Sequence, residues 1–273
     1  MMLRKSTELT LGNEDDWQRG TPSPSIIPVA EAEIDELLKH NRLFNVFQPI
    51  VRAGQAGETI FAYESLARVA GGGLMNDPEF LFRCAEQQQR LFELELTCVE
   101  NTFRTMERVR ANARIFVNVH PHVLSLDDRF CRAIFQSAEK YCIRLDRFVF
   151  EITEQGELRG DHATLASIAR MHELGAAFAF DDVGIAYIHL RHFPAVRPQF
   201  LKISQQFGTG FETDTFRRKI VRNIASLAED LGVQTILEGV ESRSTADAAR
   251  EMGITLMQGY LFGRPASLIG DVN

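Results

Sequence analysis

The sequence predicts an α/β protein whose strands close into a (β/α)8 TIM-like barrel. Short apolar runs of strand length alternate with helical patterns along most of the chain. Five of these runs end in a polar residue, and those residues recur about every 20 to 36 positions, the length of a βα unit. With about seven or eight strands and no glycine-rich phosphate loop, a closed barrel is favoured over an open doubly wound sheet, which stays the alternative.

Composition is typical of one large globular domain. The chain has 273 residues, of which 45% are hydrophobic and 25% are charged. Residues 1–30 mix Ser, Thr, Pro, Gly and acids and hold the only tryptophan, Trp17, outside any periodic pattern. We therefore expect a flexible N-terminal tail over residues 1–30 and a barrel domain over residues 31–273.

The elements are assigned from the period of their apolar residues. The first helix carries Ile34, Leu37 and Leu38 on one face, and Asp77-Pro78 can cap and start the second. The predicted helices are Glu31–Asn41, Glu79–Gln88, Leu91–Arg110, Asp128–Tyr141, Asp161–Leu174, Thr213–Leu231 and Ser244–Met252. The predicted strands are Phe44–Val51, Thr59–Glu64, Arg114–Val119, Arg147–Thr153, Ala176–Asp181, Gln199–Ile203 and Gln234–Glu238, with an eighth near Ile254.

Charge and apolar patterning exclude several classes of partner. Lys and Arg total 30 against 37 Asp and Glu, a net charge of −7, so no global basic field attracts a DNA or RNA polymer. No apolar run approaches the roughly 18 residues of a spanning helix, and the first residues lack the apolar core of a signal peptide. We expect a cytoplasmic protein that binds no membrane. Its four cysteines show no paired CxxC spacing, which indicates reduced thiols.

Polar residues gather at the strand ends. The run AAFAF is followed directly by Asp181 and Asp182, and then by Gly184, which permits backbone conformations that other residues resist. The other strand-end residues are Glu64, Asn118, Glu151, Lys202 and Glu238. Barrel enzymes carry their active sites at this end, so we expect these side chains to form one site.

The residue types at these strand ends indicate a metal. Two carboxylates about 4 Å apart repel by about 1 kcal/mol in water and about 4 kcal/mol at an effective dielectric constant of 20, so the cluster needs a counterion. Oxygen ligands favour Mg²⁺ or Mn²⁺ over zinc. Such a metal binds phosphate oxygens and activates water, which points to phosphodiester hydrolysis.

Seven ordered motifs then resemble one family. YESLAR, NVHP, FEITE, FDDVG, LKIS, LEGVE and MQGYLFGRP are similar to those of EAL domains, the cyclic di-GMP phosphodiesterases of bacterial signalling. The resemblance runs from about Glu31 to Ser267. It implies hydrolysis of cyclic di-GMP to linear pGpG.

The resemblance also implies residue roles. Lys202 would position the attacking water, and Glu238 would be the general base. Glu154 would anchor the loop after Asp181, which links the metal site to the interface of a homodimer. The metal ligands would be Glu64, Asn118, Glu151 and Asp181, with Asp182 on a second metal. The ligand-binding residues would be Gln48, which reaches a guanine, Leu66, Arg68, which holds a phosphate, and Gln258, which also supports the site.

Several alternatives stay open. Glu64 and Arg68 could be an ordinary i,i+4 ion pair on a helix. Some positions differ from the family pattern. Ser204 stands where the family usually has aspartate. The loop that usually reads DDFGTG is DDVGIA here, so Val183 and Ala186 differ, whereas Ser65 replaces a residue without a chemical role. The second hypothesis is therefore a non-catalytic module, either a cyclic di-GMP receptor or an adapter for an unidentified protein partner.

Overall fold

The eight strands form a closed barrel in the order β1 to β8. This computed structural model describes residues 27–54, 57–71, 74–108, 113–126, 128–152, 158, 160–184 and 192–267. The strands are β1 Leu43–Gly54, β2 Gly57–Val69, β3 Arg114–Val119, β4 Phe148–Ile152, β5 Ala177–Val183, β6 Phe200–Ile203, β7 Gln234–Leu237 and β8 Leu256–Gln258. The predicted closed barrel is confirmed.

One strand departs from the expected parallel arrangement. β1 pairs antiparallel with both β2 and β8, whereas every pair from β2–β3 to β7–β8 is parallel. The physical reason is the connection, because β1 and β2 follow each other too closely for a crossover helix. β2 also continues beyond Glu64 to Val69. Glu64 and Arg68 therefore lie on a strand, and the helical ion pair is excluded.

Helices pack outside the barrel. Within the described part of the chain they are α1 Ile27–Lys39, α2 Pro78–Gln87, α3 Leu91–Arg108, α4 Pro121–Leu124, α5 Arg129–Lys140, α6 His162–Glu173, α7 Phe193–Val196, α8 Gln205–Gly208, α9 Thr215–Asp230 and α10 Arg243–Glu251. Asp77 caps α2 by accepting a hydrogen bond from the Glu79 N–H, and Pro78 occupies its first turn, as predicted. The first helix begins at Ile27, four residues before the predicted Glu31. Among the described residues, every helix is too short or too polar to span a bilayer.

The barrel interior is built in layers. One buried residue from each strand fills the centre. This filling layer consists of Ile50, Ala62, Phe116, Val149, Ala179, Phe200, Ile236 and Leu256. Side chains on a strand alternate between its two faces, so the next inward-facing residue of each strand lies two positions away. The filling layer therefore fixes which residues face the interior at both ends of the barrel.

Candidate active site

The predicted site residues form the interior layer directly above the filling layer. Each lies two positions from a filling residue, towards the carboxyl ends of the parallel strands. The members of this polar layer are Gln48, Glu64, Asn118, Glu151, Asp181, Lys202, Glu238 and Gln258. The alternation of the strands thus brings eight separate sequence positions to one mouth.

Lys202 lies at the centre of the polar layer. Its side chain is 1% exposed, and its Nζ is surrounded by four carboxylates. The Nζ–oxygen distances are 2.8 Å to Glu238, 3.1 Å to Glu151, 3.1 Å to Asp181 and 3.4 Å to Glu64. One ammonium therefore compensates four acids drawn from four strand ends, a role that the sequence did not reveal.

Amide side chains complete one edge of the layer. Asn118 Nδ2 donates to Glu64 Oε1 at 3.3 Å, and Gln258 Nε2 donates to Glu64 Oε2 at 2.6 Å. Gln258 Nε2 also lies 3.2 Å from Gln48 Oε1, and Gln48 Nε2 donates to the Gly263 carbonyl at 3.2 Å. Both oxygens of Glu64 are thus held by donors, which fixes this carboxylate at the mouth.

Burial and neighbouring charges shift the pKa values of these acids in different directions. Burial raises the pKa of Glu64, but the Lys202 ammonium and the hydrogen bonds from Gln258 and Asn118 outweigh it and lower that pKa. Burial raises the pKa of Glu151 well above its usual range, and the neighbouring carboxylates reinforce this despite Lys202. The pKa of Asp181 is raised for the same reasons. Glu64 is consequently the acid that most favours the charged form.

The pKa of Glu238 is shifted from the usual carboxyl range to the neutral region. Burial raises its pKa to about 8, opposed by Lys202 and reinforced by Asp181 and Glu64. Burial lowers the pKa of Lys202, but the four carboxylates more than reverse this and raise it well above the usual value. A carboxyl group that titrates near neutral pH can both take and release a proton at working pH, whereas Lys202 stays charged.

The donor set fits a hard cation. Glu64, Asn118, Glu151 and Asp181 offer only oxygen and amide groups at this mouth, the ligands that Mg²⁺ and Mn²⁺ prefer. Within the described part of the chain, no group donates a hydrogen bond to the buried Glu151 Oε1 or Asp181 Oδ1, although each lies 3.1 Å from Lys202 Nζ. Among the described residues, no three acidic, His or Cys side chains already have the spacing of a metal site. Lys202 occupies the space between them.

The aspartate pair lies in a β-bulge. The register between β5 and β6 shifts between Phe180 and Val183, so Asp181 and Asp182 fall within the irregularity. Asp182 has φ of 51°, a left-handed conformation that is uncommon outside glycine. Bulges next to active sites re-aim side chains, and this one turns both aspartates towards the same cavity.

A cavity of about 480 Å³ opens from the mouth towards α2 and α3. Leu66 and Arg68 line its wall together with Asp182. Arg68 Nη1 donates to the Ala67 carbonyl at 2.8 Å, which leaves most of its guanidinium donors for a ligand. The structure therefore places the predicted ligand residues Leu66 and Arg68 beside the carboxylate cluster rather than within it.

Polar residues to which the sequence assigned no role also line this cavity. Ser65 Oγ accepts from Asn45 Nδ2 at 2.7 Å and lies 2.8 Å from Thr102 Oγ1. Glu95 accepts a 2.7 Å hydrogen bond from the His120 backbone N–H, two residues after Asn118, while its Oε2 has no hydrogen-bond partner among the residues that the structure describes. In the sequence, Glu95 is the sign of this network, because it is an acid at an otherwise apolar position of α3.

Ser204 is not part of the cluster. Ser204 is fully buried and caps α8, accepting from the Gln206 N–H at 3.4 Å. Glu154 and Ala186 lie outside the described residues, and their predicted roles stay predictions. Gly184 has φ of 111°, the conformation for which glycine was expected there.

Comparison with known sequences decides the family. The EAL domain profile matches residues 31–265, which include the entire polar layer. The chain belongs to the EAL domain family.

Individual relatives are distant. The chain is 28% identical over 244 residues to the cyclic di-GMP phosphodiesterase PdeF of Escherichia coli (strain K12), a match that covers 88% of this chain and 32% of PdeF. It is 27% identical over 164 residues to the cyclic di-GMP phosphodiesterase RocR of Pseudomonas aeruginosa, covering 60% of this chain and 42% of RocR. This EAL chain thus spans less than half the length of either relative.

Solved structures show the same fold. The EAL enzyme Bd1971, bound to cAMP and cyclic di-GMP, superposes with a TM-score of 0.81 at 21% identity, covering 93% of this chain and 70% of that one. The calcium and cyclic di-GMP complex of Klebsiella pneumoniae BlrP1 gives 0.73 at 22% identity, covering 82% and 56%. A manganese complex of BlrP1 gives 0.71 at 22% identity with the same coverage.

Proposed function

We propose that this EAL domain hydrolyses cyclic di-GMP to linear pGpG. The observation that carries the proposal is the convergence of Glu64, Glu151, Asp181 and Glu238 on Lys202 at the carboxyl end of the barrel. Such a cluster of buried, mutually repelling acids is unfavourable for stability, and groups with strongly shifted pKa values are concentrated at catalytic sites.

The proton chemistry is assigned to two residues. Glu238, with a pKa raised to about 8, is the general base that takes a proton from the attacking water. Lys202 stays protonated, 2.8 Å from Glu238, and orients that water while it stabilises negative charge on the phosphate. Lys202 is almost fully buried, and its interactions with charged groups are stronger in this low-dielectric surrounding than in water.

Mg²⁺ or Mn²⁺ would be held by Glu64, Asn118, Glu151 and Asp181, with Asp182 contributing to a second ion. When bound, such an ion polarises the phosphate and lowers the pKa of water. Glu64 is prepared for this role because donors hold both of its oxygens and its pKa is lowered.

Ligand binding is assigned to the wall of the cavity and to β1. Arg68 offers guanidinium donors to a phosphate, and Leu66 supplies an apolar surface beside it. Gln48 would reach a guanine, with Gln258 fixing its side chain. We also propose that the protein is cytoplasmic and forms a homodimer through the loop after Asp181, anchored by Glu154.

A second candidate is a non-catalytic module that binds cyclic di-GMP or an unidentified protein partner. It is favoured by Ser204, which caps α8 and supplies no carboxylate beside Lys202. The sequence DDVGIA after β5 favours the same candidate. In this case the cluster would bind the ligand without turning it over.

Product analysis tests both candidates. Purified protein is incubated with cyclic di-GMP in Mg²⁺ or Mn²⁺, and the nucleotides are separated by chromatography. We expect pGpG from the wild type and at least about a 100-fold lower rate from Glu64→Ala or Glu238→Ala, because each removes a group that acts in the transition state. Near-wild-type rates in those variants would reject their roles.

Unchanged cyclic di-GMP would reject hydrolysis. If the wild-type protein retains cyclic di-GMP in Mg²⁺, it is a receptor. If cyclic di-GMP leaves the melting temperature of the protein unchanged, it is an adapter. Sedimentation over a wide concentration range checks the dimer, since a monomer throughout would contradict it.

A further inference from the structure

The end of the barrel opposite the candidate active site carries two arginines. The positions that follow the filling layer on this side include Arg52 on β1, Arg114 on β3 and the uncharged Gln234 on β7. The polar layer at the mouth is acidic, whereas this end is cationic. The whole chain has a net charge of −7, so the positive charge of the arginines at this end is opposite in sign to the overall charge.

These arginines are held by aromatic rings. A register shift between β1 and β2 brings the Phe61 ring against the filling layer, where it lies 5.9 Å from the Phe200 ring. The Arg52 guanidinium is 4.6 Å from the Phe61 centroid, and that of Arg114 is 5.9 Å from Phe61 and 5.7 Å from Phe200. Cation–π contacts at these distances hold both guanidinium groups beside the filling layer.

The arginines at this end are not paired with acids. Among the described residues, no carboxylate oxygen lies within 4.0 Å of the Arg52, Arg114 or Arg197 guanidinium, as is also true of several surface arginines such as Arg129 and Arg222. Arg197 ends α7 with φ of 46°, the left-handed conformation in which many helices end, and its side chain is exposed.

A cavity of about 670 Å³ lies between Arg114 and Arg197. Ligand pockets in proteins usually measure roughly 300 to 1,000 Å³. Its apolar side includes Phe193, Val233 and Leu231, which is 49% exposed. Gln199 and Gln234 add amide groups; Gln199 Oε1 accepts from the Phe178 N–H, so its NH₂ remains available.

We propose that this arginine cavity binds a nucleoside phosphate. Arg114 and Arg197 suit the phosphate oxygens, because guanidinium donors match phosphate geometry. The apolar side gives the base a surface to pack on, and the glutamine amides meet its polar edge. The site is separated from the candidate active site by the filling layer, and the proposal does not rest on phosphodiesterase activity.

Calorimetric titration of the full chain tests the proposal. GTP, ATP and pyrophosphate are titrated separately in EDTA, which withholds divalent metal from the mouth. We expect both nucleotides to bind more tightly than pyrophosphate and their binding to weaken with added salt, because the phosphate contacts are exposed to solvent. Pyrophosphate binding as tight as GTP would overturn the nucleoside assignment, and no binding up to millimolar nucleotide would overturn the site.

Charge reversal locates the site. Arg114→Glu and Arg197→Glu should each weaken nucleotide binding about tenfold or more, since attraction becomes repulsion. Arg197 is exposed at the rim, so Arg197→Glu remains informative if Arg114→Glu disturbs the aromatic packing. Arg129→Glu makes the same charge change on exposed α5 and should leave binding unchanged. Weakening by Arg68→Ala with no effect of Arg197→Glu would place the nucleotide at the mouth and overturn the proposal.

Discussion

Lys202 Nζ lies 2.8 Å from Glu238 Oε1, and the two residues come from adjacent strand ends that share a hydrogen bond from the Glu238 N–H to the Ile203 carbonyl. This backbone bond sets the position of Glu238 relative to β6. The same ammonium also reaches Glu64, Glu151 and Asp181. The pair is therefore both the proposed catalytic couple and the electrostatic centre of the barrel.

Removing the ammonium should destabilise the protein strongly. Lys202→Met keeps a long apolar stem but leaves buried carboxylates without a counterion, and breaking a buried ion pair typically costs about 3–5 kcal/mol. We expect a loss of that size in the free energy of unfolding by urea at neutral pH, smaller at pH 5, where protonation relieves the repulsion.

Lys219→Met on exposed α9 is the matched control and should change stability by no more than about 0.5 kcal/mol. Added Mg²⁺ should raise the melting temperature of Lys202→Met more than that of wild type, because a cation replaces the lost charge. Equal stability of Lys202→Met and wild type would contradict the central role of the ammonium.

Glu95 should make stability decline as pH rises. Burial raises its pKa well above the usual value, although the His120 backbone N–H opposes this. The folded state then binds a proton that the unfolded state has already released above about pH 4.5, so the free energy of unfolding falls with increasing pH until the folded pKa is passed.

Glu95→Gln keeps an acceptor for the His120 N–H and removes the titration. We expect a flatter stability profile above pH 5 and a higher melting temperature at pH 8, measured by thermal unfolding in low salt. Glu93→Gln, on the exposed face of the same helix, serves as control. A profile as steep as that of wild type in Glu95→Gln would exclude Glu95 as the source.

The barrel and its mouth were predictable because the alternation of side chains along a strand can be recognised from a short stretch of sequence. The apolar runs can be identified without knowing which strands pair, and the barrel then brings together the residues that end them, Asn118, Glu151, Asp181 and Lys202. The antiparallel β1 was missed because strand direction depends on the connection between strands rather than on their composition. The contact of four acids with one lysine depends on side-chain geometry across five strands.

The network behind the mouth was beyond sequence reasoning for a different reason. Asn45 and Thr102 are 57 positions apart, and each has an ordinary explanation within its own strand or helix. Ser65 was expected to matter little, yet its hydroxyl contacts both of them in a buried position. Polar residues of this kind reveal their partners only when the helix layer is packed on the barrel.

Restoring an acid at position 204 should raise turnover. Ser204 is buried one residue beyond β6, and aspartate can keep the helix cap because it also accepts from the N–H of Gln206. We expect Ser204→Asp to increase the rate of pGpG formation from cyclic di-GMP. Ser204→Asn has similar size and capping ability without charge and should not increase the rate. An unchanged rate in Ser204→Asp would show that Ser204 does not limit turnover.

Gly208 should tolerate no side chain, because α8 packs directly on the backbone that carries Glu238. A Cβ on Gly208 would lie 1.9 Å from the Glu238 carbonyl oxygen, so one of the two segments must move. Overpacking of this kind typically costs about 1–3 kcal/mol.

We expect Gly208→Ala to lose stability in that range and to lower kcat for cyclic di-GMP more than it raises KM, because displaced Glu238 affects proton transfer more than ligand binding. Gly160→Ala is the matched control, since its Cβ would meet only the His192 ring at 3.5 Å, an ordinary contact. Wild-type kcat in Gly208→Ala would show that the position of Glu238 is not limiting and would weaken its assignment as the general base.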